Sequence, residues 1–299
     1  MAKPRLLVTG GSGFIGSRLV RDLSVKWDVV STCGKQPPGP GMIRVDLTDA
    51  ADLERAFHEA APRAVVHTAA MAEPDACEKQ PELAGRVNRD AAQGLARLCA
   101  KAGARFVHFS TDLVFDGLRG WYREQDAPHP LSVYGRTKLE SEHAALEACP
   151  GAAVLRVATV YGRAYGGRPS FLDTLRQRLS QGQRVQAFTD QWRTATANAQ
   201  ISEAVAALLE RSDISGIFHW TGATRASRWE FASAFCRIFG FSESLVEAAR
   251  MEDMRLAAPR PRDTSLDSTG LARLLKIAPW SLEDGLRRAR GEWEPVSAD

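Results

Sequence analysis

The chain of 299 residues, 44% hydrophobic and 25% charged, is long enough for one large or two medium domains around a buried core. Its net charge of +3 comes from 39 basic and 36 acidic residues with no basic block, which argues against nucleic-acid and membrane-surface partners. The five cysteines (Cys33, Cys77, Cys99, Cys149, Cys236) form no Cys-x-x-Cys, and the six histidines show no paired spacing. Reduced thiols and no metal site are therefore expected. No apolar run approaches the ~18 residues of a membrane span, and the first one is too short for a signal peptide. A cytoplasmic protein is the expectation.

In chain order, a strand predicted at 5–8 runs into Thr9-Gly10-Gly11-Ser12-Gly13-Phe14-Ile15-Gly16. A helical pattern follows, with Ile15, Leu19, Val20 and Leu23 on one side. Strand, glycine turn, helix is the context in which such spacing holds a dinucleotide. Gly10 permits the tight turn, Gly13 lets the backbone approach a pyrophosphate, and Gly16 lets helix and strand pack closely. Gly10, Ser12, Gly13, Phe14, Ile15 and Gly16 are the expected cradle.

The second strand, predicted at 27–33, lacks the terminal Asp or Glu that normally holds the ribose of NAD. Ser31, Thr32 and Cys33 stand there, Lys35 follows, and Asp28 comes too early. Without an acid to repel a 2′-phosphate, NADP is preferred and NAD remains possible. The plain alternative for Lys35 is a solvated loop lysine. Asp46 and Leu47 precede a helix predicted at 50–60. A strand predicted at 64–70 ends in Ala69 and Ala70, small enough for close cofactor approach. His67 and His108 lie in apolar runs and read as packed. A mostly helical stretch, 81–102, carries Asn88, and a strand at 105–110 ends in Ser110-Thr111-Asp112.

After Pro128 and Pro130 a helix is predicted through Glu147, placing Tyr134 and Lys138 about one turn apart on one face. An ammonium beside a phenol stabilises the phenolate and makes the tyrosine a usable proton donor. Alone, such a pair is a common surface pattern. A further strand at 153–161 completes an alternation that predicts an α/β fold with a doubly wound parallel Rossmann sheet. Beyond Gly162 come a loop at 166–169, a helix at 171–181, a strand at 184–188 and a helix at 200–211. A sheet-edge strand at 216–220 precedes a helix at 227–239, whose Trp229, Phe231, Phe235 and Phe239 read as core. Two last helices follow Arg260-Pro261-Arg262-Asp263. The expected division is a dinucleotide-binding domain, 1–163 with 194–222, and a smaller discontinuous substrate-binding lobe, 164–193 with 223–299.

The glycine turn, Ser110-Thr111-Asp112 and Tyr134-x-x-x-Lys138 together resemble the extended short-chain dehydrogenase/reductases. Ser110 to Gly117, Tyr134 to Glu140, Asp190-Gln191-Trp192-Arg193-Thr194 and the segment 260–267 are most similar to the dTDP-4-dehydrorhamnose reductases. The resemblance implies reduction of a keto group, most readily on a 4-keto-6-deoxy sugar nucleotide, by hydride from a nicotinamide. It further implies that Tyr134 protonates the developing alkoxide, that Lys138 lowers the Tyr134 pKa and holds the nicotinamide ribose, and that Thr111 orients the carbonyl oxygen. Asn88 matches the residue that supports the lysine through water in relatives, with a helix cap as the alternative. Related 4,6-dehydratases carry Thr-Asp-Glu where this chain has Thr111-Asp112-Leu113, and leucine transfers no proton.

Asp112, Trp121, Trp192, Arg193 and Arg260 are candidates for the substrate pocket, the arginines suiting a pyrophosphate. Core tryptophans and surface arginines are the plain alternatives. Two other functions stay open: a reductase of a non-sugar ketone, and a non-catalytic NADP-binding subunit similar to the methionine adenosyltransferase β subunit, which the Cys33-Gly34-Lys35 turn resembles. The interface metal of some family members finds no matching acid here. A homodimer through the helices around 88–102 and 134–147 is the family's usual pairing.

Overall fold

The computed structural model describes residues 2–34, 38–39, 41–166, 169–254 and 257–293. The alternating pattern produces β1 (Arg5–Thr9), β2 (Asp28–Cys33), β3 (Met42–Arg44), β4 (Ala64–His67), β5 (Arg105–Thr111) and β6 (Ala153–Val157). With Gly216–His219 they form a seven-stranded sheet in the order Gly216–His219, β6, β5, β4, β1, β2, β3, parallel at every pairing. The order reverses on either side of β1, so the crevice beyond the strand ends at β1 and β4 is where a ligand is received.

Both faces of the sheet are covered, which is why its strands read as nearly unbroken apolar runs. Side chains alternate across the sheet. Leu6, Val8, Val66 and Val107 pack with Leu19, Ile201 and Val205 on one face. Leu7, Val65 and Phe106 pack with Leu53, Phe57, Leu95, Cys99 and Ala145 on the other. Helices Phe14–Leu23 and Asn198–Glu210 thus cover one face, and Ala50–Ala60, Ala91–Ala102 and Val133–Ala148 the other.

A separate core holds the second lobe, where Tyr161, Leu172, Leu175, Val185, Phe231, Phe235 and Leu286 meet. Here Val185–Phe188 pairs in parallel with Val246–Ala249. Capping boxes Ser170/Asp173 and Ser227/Glu230 start helices Phe171–Ser180 and Arg228–Phe239, satisfying amide groups that a helix start leaves unpaired.

Packing differs from the sequence expectation at four places. The 81–102 stretch is broken into Pro81–Gly85, a π-turn at Arg86–Asp90 and Ala91–Ala102; proline starts the first piece, and Asn88 is drawn inward at the turn. The 153–161 strand splits, with Val160–Tyr161 leaving the sheet to pair with Thr196–Ala197. Trp229, read as core, is 37% exposed, because the first turn of its helix points out of the lobe. Helix Thr269–Leu275 falls within the stretch assigned to the lobe, yet its Leu271 enters a core of the large sheet. The preceding segment is tied back there, Tyr122 N donating to Ser265 O at 2.9 Å and Thr221 N to Ser268 Oγ at 2.8 Å.

Candidate functional site

The glycine turn lies at the reversal of strand order. Gly10 has φ +73°, and a Cβ there would meet Ala69 Cα at 2.9 Å; a Cβ on Gly16 would meet Gly10 O at 2.1 Å. Those two glycines are required by the protein's own packing. A Cβ on Gly13 would meet only Gly10 O, at 3.1 Å, and the residue is exposed. A side chain at Gly13 would stand in the opening itself.

Gly13 is also the N-cap of helix Phe14–Leu23, with no side chain capping it. The first-turn amides and the positive end of the helix dipole face outward, as a phosphate requires. Ser12, Phe14, Ile15, Ala69 and Ala70 are half-buried around this opening. The end of β2 closes against it, Gly10 N donating to Thr32 Oγ1 at 3.2 Å and Gly11 N to Thr32 O at 2.8 Å.

β2 ends at Cys33 with no acid in its last residues. Asp46, next in line, turns its carboxylate on Thr48, accepting from Oγ1 at 2.7 Å and from the backbone N at 2.9 Å, which holds its pKa below the usual value. Leu47 packs half-buried against the core under Leu53 and Phe57. Lys35 lies outside the described residues. The residues present fit a phosphorylated dinucleotide.

Beyond β5 a short turn, Asp112–Val114, faces helix Val133–Ala148. The two pack without a spacer, since a Cβ on Gly135 would meet Leu113 O at 2.2 Å. Ser132 starts the helix, its Oγ accepting from Gly135 N at 3.1 Å. Tyr134 is thereby brought to Thr111. Burial pushes its phenol well up from the ordinary value, with the hydrogen bond to Thr111 opposing.

Lys138, one turn on, is 3% exposed. Burial pushes its ammonium down to about 8, with Glu142 opposing. Lys138 is not among the groups that shift Tyr134. Desolvation is the largest influence on the phenol, and the lysine Nζ lies 3.4 Å from His108 Nε2.

Asn88 is fully buried and neither caps a helix nor touches the lysine. Its Oδ1 accepts from Met71 N at 2.8 Å, and its Nδ2 donates to Met71 O at 3.2 Å and Thr137 Oγ1 at 3.0 Å. It bolts the loop after β4 to the Tyr134 helix from inside a π-turn, an irregularity frequent at functional sites.

The substrate candidates divide. Asp112 and Arg193 are buried and paired with each other, Nε to Oδ2 3.1 Å. Thr264 Oγ1 also donates to Asp112, and Arg193 spends three of its other four donors on Trp192 O (2.6 Å), Pro261 O (3.0 Å) and Arg262 O (3.2 Å). The pair clasps the two lobes and has little left for a ligand. Two opposite charges buried this close satisfy one another. Trp121 is 48% exposed with φ +46°, and Trp192 lies half-buried with Arg225 stacked 4.8 Å from its ring centre.

Arg260 lines a cleft of about 430 Å³ with Phe171, Arg178, Gln191 and Arg228, and reaches across to Asp75, Nη2 to Oδ1 2.9 Å. Arg228 was missed from the sequence. Its Nε donates to Gln191 Oε1 at 3.1 Å, and it has no ion-pair partner among the described residues. Burial and the nearby Arg193 lower it to about 10. The carboxylate of Asp112 acts on both Arg228 and Tyr134. The sole sequence signal for Arg228 was its place just after the helix cap Ser227.

Among the described residues no cluster of His, Cys, Asp and Glu has the makings of a metal site, and no helix is long and apolar enough to cross a membrane.

Comparison with known proteins places relatives along the whole chain. The family described as RmlD substrate binding domain matches residues 4–292. Methionine adenosyltransferase 2 subunit beta of Pongo abelii is 34% identical over 280 residues, 90% of this chain and 82% of that protein. The probable low-salt glycan biosynthesis reductase Agl14 of Haloferax volcanii is 34% identical over 298 residues, 97% and 99% of the two chains. Among solved structures, the dTDP-4-dehydrorhamnose reductase of Bacillus anthracis in complex with NADP matches with a TM-score of 0.87 at 26% identity, covering 97% of this chain and 100% of that one.

Proposed function

This chain belongs to the RmlD substrate binding domain family, and from that premise we propose that it is an NADPH-dependent reductase of a 4-keto-6-deoxy sugar nucleotide. The observation that carries the reading is the packing of the Tyr134 helix directly on the turn after Thr111, which brings phenol and hydroxyl together beside a glycine turn whose helix end is open to a phosphate. When bound, the dinucleotide supplies the hydride. The amides after Gly13 hold its pyrophosphate. The acid-free end of β2 accepts a 2′-phosphate, so NADP is preferred and NAD is the weaker ligand; among similar solved structures one holds NADP and another NAD.

Tyr134 keeps its proton until an alkoxide develops beside it and then gives it up, the step for which a positioned acid is worth about 10²–10⁴ in rate. Thr111 orients the carbonyl oxygen at the same point. Lys138 supplies positive charge behind the phenol. Arg228 and Arg260 take the pyrophosphate of the sugar nucleotide, while Asp112 and Arg193 hold the lobes at the right separation. Outside the site, we propose a cytoplasmic homodimer paired through helices Ala91–Ala102 and Val133–Ala148.

The test is oxidation of NADPH with a panel of 4-keto sugar nucleotides. Turnover is expected, with Tyr134→Phe slower by about 100-fold or more. No turnover across the panel removes the sugar reading and leaves a non-sugar ketone to be tried; an unchanged rate in Tyr134→Phe removes the mechanism. A second reading, a regulatory NADP-binding subunit, draws on the 34% identity to methionine adenosyltransferase 2 subunit beta. Its signature would be co-purification with another enzyme whose activity then changes.

A further inference from the structure

The glycine turn accounts for the pyrophosphate of the dinucleotide but not for a 2′-phosphate on its ribose. β2 ends at Cys33 without the acid that would repel such a group, yet the absence of repulsion holds nothing by itself. The neighbouring strand offers a cation. β3 runs parallel to β2, with Ser31 opposite Met42, Thr32 opposite Ile43 and Cys33 opposite Arg44. Val45 N extends the ladder by donating to Cys33 O at 2.9 Å. Arg44 therefore stands beside the place where an NAD site carries its acid, one strand spacing of about 4.8 Å away.

Strand alternation settles which way the side chain rises. Ile43 packs with Val30, Leu53 and Phe57 on the face covered by helix Ala50–Ala60, so Arg44 rises from the other. That is the face of Ser31, on which the glycine turn lies: a Cβ on Gly11 would collide with that of Ser31. β3 is the edge of the sheet, and Arg44 is exposed there. Its backbone is held, Arg44 O accepting from Arg55 Nη2 at 3.1 Å. Its guanidinium has no hydrogen bond or ion pair among the described residues. Other charged groups near this end of the sheet are already engaged. Arg55 pairs with Asp52 and Glu59, Arg18 with Asp22 and Glu292, and Asp46 turns its carboxylate on Thr48. Arg86 lines a separate groove with Glu82 and Glu140.

We propose that Arg44 is the residue that selects NADP over NAD: its guanidinium receives the 2′-phosphate at the end of β2, where an NAD site would carry an acid for the ribose hydroxyls. A planar fork of N–H donors matches a phosphate bidentately, and the open edge of the sheet leaves room for it. Spacing along the chain gives no hint of this role, because Cys33 and Arg44 meet only through strand pairing. Lys35, the cation that the sequence suggests, lies outside the described residues.

The proposal rests on the reading of NADP as the preferred cofactor, and it is tested by binding alone. NADPH and NADH are titrated into the full-length protein by calorimetry. Adenosine 2′,5′-bisphosphate and AMP, which carry a similar difference without a nicotinamide, are titrated beside them. Arg44→Met is expected to raise the Kd of NADPH and of the bisphosphate by about 10- to 100-fold, the worth of a hydrogen bond to a charged group. The Kd of NADH and of AMP should stay at the wild-type value. Arg44→Lys, which keeps the charge and loses the fork, is expected to recover part of the loss. Equal weakening of NADPH and NADH in Arg44→Met overturns the proposal, as does a lysine variant no better than Met. A preference that survives Arg44→Met and disappears in Lys35→Met also overturns it, assigning the phosphate to Lys35. Absence of turnover on the sugar-nucleotide panel would remove the reductase reading while leaving these affinities readable, so the two fail separately.

Discussion

The glycine turn and the arginine-lined cleft are both suited to anions, and they achieve it by opposite means. At the turn, charge comes from backbone amides and a helix end, all within residues Gly10 to Gly16. In the cleft it comes from the side chains of Arg228 and Arg260, carried by separate segments and surrounded by Phe171 and Gln191. A backbone site tolerates change everywhere except where space is critical. A side-chain site can be rewritten one residue at a time without disturbing the fold. The cofactor end of such a protein is thus conservative by physics, and the substrate end is free to diverge.

Four substitutions press on that contrast. The largest effect is expected from Gly16→Ala, whose Cβ would lie 2.1 Å from Gly10 O. Overpacking of this kind costs about 1–3 kcal/mol, so thermal unfolding should fall by several degrees and NADPH binding should be lost with the turn. A wild-type melting temperature would show that the turn has slack the geometry does not reveal.

Next comes a crossed pair. Gly13→Ala should cost no more than about 1 kcal/mol of stability while weakening NADPH, measured by calorimetry, about tenfold or more. Arg228→Met should leave NADPH affinity alone and raise the KM for the sugar nucleotide by about 10- to 100-fold, the worth of a hydrogen bond to a charged group. If either variant affects both ligands equally, the two anion sites are not separate. The smallest effect is expected from Arg260→Met, because Asp75 already shares that guanidinium. A KM rise of only a few-fold is anticipated, and one as large as for Arg228 would mean that Asp75 releases Arg260 when substrate binds.

The same contrast explains what could be read in advance. The glycine turn and the Tyr134–Lys138 spacing are local, set by a period of three or four residues, whereas Thr111 meets Tyr134 only because the turn after it packs on the Tyr134 helix. Arg228 escaped notice because nothing in Ser227-Arg228-Trp229 distinguishes an arginine turned into a cleft from one in solvent. Asp112 and Arg193 looked like ligand contacts because each is polar at a site-like position, and their separation of 81 residues in sequence hid the fact that they satisfy one another. Trp229 and Leu271 went the other way, one to the surface and one into the core of the large sheet, for reasons of how the second lobe docks.

From the sequence alone, then, came the alternation of strands and helices, the glycine turn at the end of the first strand and the Tyr134–Lys138 spacing on its helix, since each depends on short-range spacing and on the alternation of apolar residues. Tertiary structure decided the charge environment. It left Tyr134 half-buried, where desolvation raises its pKa, gave Glu142 to Arg156 and set Lys138 beside His108. It also closed Asp112 onto Arg193 and turned Arg228 toward the cleft. Those outcomes depend on desolvation and on which opposite charge stands nearest in space, and neither is a property of neighbours along a chain.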